Sequence, residues 1–269
     1  MENELIITRD IVEKYDIKFV DIKFVVDTFN DIFPHGAKIS EITKLIPELE
    51  EDYSSFAEWL LQQVPPTDIT LEFDTLQDNI FYNGPIHVKG DVNLVNTGID
   101  LIGSLKIDGK LTIIGTGIVY ADKGDVNADK IDISGYAQIY SDTKANSISM
   151  SDYAVINGDT VANSISLRDS VEIRGNTKAK IVNLDDGCIN GNVDADEIIN
   201  NDGIIRGNVK TIKIQNIKYG YINGNVDADE IINEGEIGGD VNTIKIKSIN
   251  GGMVYGNLNI TYKRSDEHK

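Results

Sequence analysis

Residues 189–200 read INGNVDADEIIN, and the same twelve residues recur without change at 222–233. The segments that follow also match, with GNVKTIKI at 207–214 against GDVNTIKI at 239–246. The duplicated unit is 33 residues long and holds two Gly-Asn or Gly-Asp corners. Internal repetition on this scale is typical of solenoid proteins, in which each repeat packs only on its neighbours.

A column of glycines divides the duplicated unit in two. Its members are 15 to 17 residues apart, with a serine filling one slot. Glycine followed by Asn or Asp favours a turn, and the sequence predicts that these corners need a positive φ. The column consists of Gly124, Ser141, Gly158, Gly175, Gly191, Gly207, Gly224, Gly239 and Gly256.

Three short segments of alternating apolar residues occupy each repeat. A small-x-Ile segment precedes the corner, V-x-A or T-x-A follows it, and I-x-I or a relative comes next, as in Gly187–Ile189, Val193–Ala195 and Ile131–Ile133. Alternation of this kind predicts β-strands with one buried face. Three strands in about 17 residues predict a single-stranded parallel β-helix, with roughly ten coils stacked at the ~4.8 Å strand spacing.

The first part of the chain instead has helical spacing. Thr8 and Ser40 are predicted helix caps, and further helices are expected near 20–33 and 53–62. We therefore predict an α+β chain, divided by domain and mainly β. An acidic helical module with its linker spans 1–80, the β-solenoid spans 81–262, and 263–269 is a solvated tail.

The charge is concentrated in the helical module. Residues 1–80 hold 18 acidic and 6 basic side chains, a net of −12 within the total of −19. An acidic chain of this kind disfavours direct nucleic-acid binding. The absence of a long apolar stretch, of a signal segment and of more than one cysteine predicts a cytoplasmic protein without membrane contact.

The repeats resemble the bactofilins, bacterial polymer-forming proteins with a right-handed β-helix. The matching stretches are GDVNADKIDIS from Gly124, GNVDADEIIN from Gly191 and Gly224, and GDVNTIKIKS from Gly239, and the resemblance covers about 83–262. It implies a right-handed solenoid. The helical module resembles N-terminal modules on repeat proteins of phages and other mobile elements, through TRDIVEKYD, the FPHG around Pro34 and the WLL at Trp59.

Two surfaces are candidates for binding a partner. Apolar and aromatic residues project from one predicted face of the rod, and acidic residues cluster in the helical module. The first set is Tyr140, Val155, Ile204, Tyr221, Met253 and Tyr255. The second set is Glu48, Glu50, Glu51, Asp52 and Glu58.

The repeated DADE clusters at 194–197 and 227–230 allow two interpretations. Grouped carboxylates could bind Ca²⁺, but the calcium-binding β-roll nonapeptide is absent. Charges of opposite sign alternate from coil to coil, so we predict pairing between coils and no metal or cofactor. The alternating columns are Lys178, Asp194, Lys210 and Asp227, and Glu197, Lys213, Glu230 and Lys245.

Three functions remain open at this stage. The first is a non-enzymatic interaction protein, in a specific version an inhibitor from a phage or mobile element that binds a host defence or nucleic-acid-handling protein. The second is a bactofilin-like structural protein that self-associates through its ends or faces. The third is a carbohydrate-active enzyme. The three histidines, His35, His87 and His268, lie at unrelated positions of the sequence, and no catalytic residue is singled out.

Overall fold

The computed structural model describes residues 5–12, 22–45 and 51–261. Helices occupy its N-terminal part, and a β-solenoid of about 11 parallel coils with about 17 residues per turn follows, which confirms the predicted fold class. The predicted tail at 263–269 lies outside the described residues. The helices are α1 (Arg9–Val12), α2 (Ile22–Ile32), α3 (Ile39–Leu45) and α4 (Glu51–Gln63).

All but two of the strands belong to the solenoid. Strands β1 (Ile6–Ile7) and β2 (Ala37–Lys38) form a separate antiparallel pair inside the helical module. The solenoid strands are β3 (Leu71–Phe73), β4 (Ile80–Tyr82), β5 (Ile86–Val88), β6 (Val92–Val95), β7 (Gly98–Leu101), β8 (Leu105–Ile107), β9 (Lys110–Gly115), β10 (Ile118–Gly135), β11 (Gln138–Met150), β12 (Val155–Ile156), β13 (Thr160–Arg168), β14 (Glu172–Ile173), β15 (Thr177–Asp185), β16 (Cys188–Ile189), β17 (Val193–Asn201), β18 (Ile204–Ile205), β19 (Val209–Ile217), β20 (Tyr221–Ile222), β21 (Val226–Asn233), β22 (Glu236–Ile237), β23 (Val241–Ser248), β24 (Met253–Val254) and β25 (Leu258–Ile260).

The coils stack in parallel register, so that equivalent residues form columns. Strand β17 pairs with β15 on one side and β19 on the other. Its inward residues include Val193, Ala195 and Ile198, all buried, whereas the outward Asp196 and Glu197 follow one another directly. This break in the alternation bends the strand and makes one corner of the three-sided coil.

The prediction of a positive φ at the glycine column is wrong. Positive φ lies elsewhere in the described chain, for example at Asp186 (φ 59) and Asp202 (φ 65). The glycines are required because the backbones of successive coils approach closely at that corner. A Cβ atom at Gly207 would lie 2.3 Å from the carbonyl oxygen of Gly191.

The residue after each corner glycine builds a second ladder. The Oδ1 atom of Asn192 accepts the backbone N–H of Asn208 at 2.8 Å, and Oδ1 of Asn208 accepts that of Asn225 at 2.8 Å. The ladder runs without interruption from Asp142 to Asn257. Side-chain oxygens therefore replace backbone acceptors where the chain turns.

The helical module covers the first coil. Helices α3 and α4 pack on β4, and Asn83 Nδ2 donates to the backbone carbonyls of Leu61 and Val64 at the end of α4. One hydrophobic core consequently runs from Ile7 in the module to Val241 in the solenoid. The parallel ladder already includes β3, within the part of the chain that the sequence assigned to a linker.

One of the two predicted helix caps is wrong. The Thr8 carbonyl accepts from the N–H groups of Ile11 and Val12, as expected for the start of α1. Ser40, however, lies inside α3, which begins at Ile39. The Lys38 N–H instead donates to Glu41 Oε2 at 2.8 Å, so the Glu41 side chain stabilises this helix start.

We predict that Gly207→Ala destabilises the fold by about 1–3 kcal/mol, because the added methyl overlaps a backbone that neighbouring coils hold in place. Chemical denaturation measures the change. Lys210→Ala, at an exposed position in the same coil, serves as a control and should stay within about 0.5 kcal/mol of the wild type. Equal stability of Gly207→Ala and the wild type would contradict the close approach of the coils.

Candidate interaction surfaces

Two neighbouring outward columns bring the six predicted partner-binding residues onto one side of the solenoid, here named the outer face. Strand register and inter-coil hydrogen bonds fix both columns. The first column is Gln138, Val155, Glu172, Cys188, Ile204, Tyr221, Glu236 and Met253. The second is Tyr140, Asn157, Arg174, Asn190, Arg206, Asn223, Gly238 and Tyr255.

The apolar residues of the outer face form two groups. Tyr140 and Val155 lie in the earlier coils, whereas Ile204, Tyr221, Met253 and Tyr255 lie towards the C-terminal end. Tyr255 is the most exposed of the six at 60%. The structure therefore places the predicted set on one face but divides it into two patches.

A hydrogen-bonded polar centre separates the two patches. Arg174 Nε donates to Glu172 Oε2 at 2.9 Å, and Arg174 Nη1 donates to Asn157 Oδ1 at 2.9 Å. Burial opposes ionisation of Glu172, but hydrogen bonds from Arg174 and Asn190 outweigh it and lower the pKa of this carboxyl group. These partners hold the Glu172 carboxylate in place between the patches.

Cys188 lies in this polar centre and is half-buried. Burial raises the pKa of the Cys188 thiol, against a smaller lowering by the positive charge of Arg206. The Cys188 thiol also donates a hydrogen bond to Asn190 Oδ1, with 3.4 Å between Sγ and Oδ1. This environment favours the thiol over the nucleophilic thiolate.

One of the two predicted charge columns forms ion pairs. Lys213 Nζ lies 3.1 Å from Glu197 Oε1, and Lys245 Nζ lies 2.6 Å from Glu230 Oε1. In the other column, Asp194 lies in register with Lys178 and Lys210, but none of the ion pairs within 4 Å in the described chain includes Asp194. Register alone therefore brings the charges near one another without pairing all of them.

Glu58 is the one residue of the predicted acidic surface whose side chain is described. Glu48 and Glu50 lie outside the described residues, and Glu51 and Asp52 lie in α4 with side chains that the structure does not describe. Burial raises the pKa of Glu58, and the negative charge of Asp100 raises it further. The acidic surface therefore extends from α4 onto the first coils, a continuity that the sequence did not reveal.

Carboxylates gather beside Glu58, where α4 meets the solenoid. Burial raises the pKa of Asp100, and the charge of Asp122 adds to the effect. Among the described residues, no Lys, Arg or His side chain forms an ion pair with Asp100, Asp122 or Glu58 within 4 Å. Repulsion between carboxylates therefore adds to burial at Glu58 and at Asp100, and no described ion pair offsets it.

The C-terminal coil is open, unlike the first coil. Leu258 and Ile260 continue inward columns of the core, yet they are 45% and 40% exposed. Among the described strands, β25 pairs only with β23, just as β4 of the first coil pairs only with β7, so the two ends differ in the burial of their inward residues. Apolar side chains and a strand edge are thus presented together at this end of the described chain.

Comparison with known proteins assigns no relative to this chain. No family of known proteins, no curated protein and no solved structure matches it. Within the described residues, no group of three or more His, Cys, Asp or Glu side chains is arranged to hold a metal ion. No described helix has both the length and the apolar composition needed to span a bilayer.

We predict slow reaction of Cys188 with a thiol reagent at pH 7.5. The rate should be lower than that of the same chain in denaturant, because burial raises the pKa of the thiol and so lowers its thiolate fraction. Glu172→Gln removes a negative charge that raises the pKa of the thiol, and should accelerate the reaction. Reaction of the folded protein as fast as that of the denatured chain would contradict the described environment.

We also predict that Asp100→Asn raises the melting temperature at pH 7. The raised pKa of Asp100 means that the folded state binds this proton more tightly than the unfolded state. Ionisation therefore destabilises the fold above the folded-state pKa, and the difference between variant and wild type should vanish as the pH falls below about 3.9.

Glu230→Gln is the matched control for this experiment. Lys245 lowers the pKa of Glu230, so its ionised form favours the fold above the unfolded-state pKa. The control should not raise the melting temperature at pH 7. A lower melting temperature of Asp100→Asn at pH 7 would show that Asp100 has a stabilising partner.

Proposed function

We propose that this chain is a non-enzymatic interaction protein whose solenoid presents the outer face to a protein partner. The observation that carries the proposal is the register that places Tyr140, Val155, Ile204, Tyr221, Met253 and Tyr255 on one side. Aromatic, Met and Arg side chains are enriched at protein interfaces. A sheet bonded from coil to coil fixes the backbone of such residues, so binding carries no cost for ordering the backbone.

Electrostatics favour a basic partner. The chain carries a net charge of −19, and the carboxylates of Glu58, Asp100 and Asp122 lie together at the module–solenoid junction. A basic nucleic-acid-binding channel in another protein would complement this charge. The specific form that we propose is an inhibitor, from a phage or mobile element, of a host defence or nucleic-acid-handling protein acting in the cytoplasm.

The open C-terminal coil favours a second candidate function, which is self-association in a structural role of the bactofilin kind. Leu258 and Ile260 would be buried against the same coil of a second copy. Helices α3 and α4 occupy the opposite end. Association through the open end alone would therefore stop at a dimer, whereas a filament would require a further contact through a face.

Light scattering coupled to size exclusion separates the two functions. An interaction protein should elute as a monomer at both about 50 mM and about 500 mM salt, because screening does not change an unassociated chain. A dimer that Leu258→Asp converts to a monomer would favour self-association through the open coil. Filaments that persist at both salt concentrations would favour the structural role and contradict the first function.

Affinity capture from a bacterial lysate tests the outer face. The double variant Ile204→Ser, Tyr221→Ser should capture at least about tenfold less partner than the wild type, because it lacks two apolar anchors. Ile181→Ser, Ile212→Ser removes two exposed apolar residues from another corner of the coil and should retain the partner. Failure of the wild-type chain to capture any protein would overturn the proposed function.

A further inference from the structure

A change in corner length creates a pocket beside the helical module, here named the junction pocket. The corner holds four residues in the first two coils (82–85 and 101–104) and five in the third (121–125). In the next coil it holds two residues, 141–142. The pocket has a volume of about 890 Å³ at this step. Its walls include Asp100, Tyr120, Asp122, Asp125, Tyr140 and Asp142.

The junction pocket is strongly acidic. Four of those six residues carry carboxylates, and Lys123 is the one basic residue in the described wall. Glu58 adjoins it through a smaller cavity that shares Asp100 and Tyr120 with the pocket. Burial raises the pKa of Asp100 and of Glu58, and repulsion from a neighbouring carboxylate raises each further. A bound cation would offset the repulsion.

One wall of the junction pocket is aromatic and flat. The rings of Tyr120 and Tyr140 stack with centroids 4.4 Å apart and an interplanar angle of 13°. Tyr140 Oη donates to Gln138 Oε1 at 2.6 Å, which fixes the orientation of its ring. A planar guanidinium group can stack face to face on such a ring, whereas an ammonium group is not planar and cannot stack in this way.

A buried acceptor in the pocket wall has no partner. Asn83 lines the pocket and is only 1% exposed, yet its Oδ1 atom accepts no hydrogen bond. The Nδ2 atom of the same side chain is directed at the end of α4, so Oδ1 is directed away from the helix. A buried polar atom without a partner is costly unless a ligand or water satisfies it.

We propose that the junction pocket receives an arginine side chain from a basic segment of the partner protein. This inference rests on the proposed function and names the site and the chemistry through which the partner is recognised. The guanidinium would stack on the face of Tyr120 that Tyr140 leaves free, and its forked donors would pair with Asp100 and Asp122. Asn83 Oδ1 is an unpaired acceptor in the same wall.

Fluorescence anisotropy with two labelled nine-residue peptides tests this inference on the full chain. One peptide holds three arginines spaced by Gly-Ser, and the other holds lysines at the same positions. At about 50 mM salt the arginine peptide should bind the wild type at least about fivefold more tightly than the lysine peptide. Tyr120→Ala should abolish that preference.

Charge-matched variants distinguish the pocket from the general acidity of the chain. Asp100→Asn, Asp122→Asn should weaken binding of the arginine peptide about tenfold or more, because it removes the paired carboxylates. Asp227→Asn, Asp229→Asn removes the same charge from a distant coil and should weaken binding less than about twofold. Equal weakening by the two double variants, or equal affinity for the two peptides, would overturn the inference.

The failure of this inference and that of the proposed function give different results. If the pocket double variant still captures the partner from lysate while the outer-face variant does not, the pocket is wrong and the proposed function stands. If no partner is captured and the arginine peptide does not discriminate between variants, both fail. Thermal melting verifies the fold of each variant, and Asp100→Asn is expected to be at least as stable as the wild type at pH 7.

Discussion

No coil of this solenoid completes its backbone hydrogen bonds by itself. Each strand needs a coil above and a coil below, and the side-chain ladder from Asp142 to Asn257 extends this requirement to the corner. The glycine column follows from the same constraint, because a Cβ atom at these glycines would overlap the backbone of the preceding coil. Ser141 takes the one position of the column at which the corner changes length. Stability is therefore a property of stacked neighbours rather than of single coils.

The two ends of the stack differ, and the proposed binding surfaces lie at different places along it. Helices α3 and α4 lie against the first coil, whereas Leu258 and Ile260 remain exposed in the last. Where the corner shortens, after residues 121–125, successive backbones no longer coincide and the junction pocket forms. The regular part of the rod carries the outer face, and the irregular part holds the acidic junction pocket.

The sequence predicts the features that recur in every coil and misses the features that occur only once. The duplicated segments at 189–200 and 222–233 predict the coil, its inward columns and the outer face, because strand periodicity fixes which side each residue takes. The prediction gives the corner glycines the wrong role, because their spacing cannot distinguish a need for positive φ from a close approach of two backbones. The junction pocket depends on an unequal corner and on the position of α4, and neither is visible in a repeat.

Hydrogen–deuterium exchange measured along the full chain tests the central claim most directly. If stacking supplies the backbone hydrogen bonds and the helical module shields the first coil from water, amides of β4 should be protected as strongly as those of β17, in the middle of the rod. Amides of β25, in the open coil, should exchange much faster. Equal fraying of β4 and β25, or weak protection of β17, would contradict a solenoid that is held by its neighbours and closed at one end.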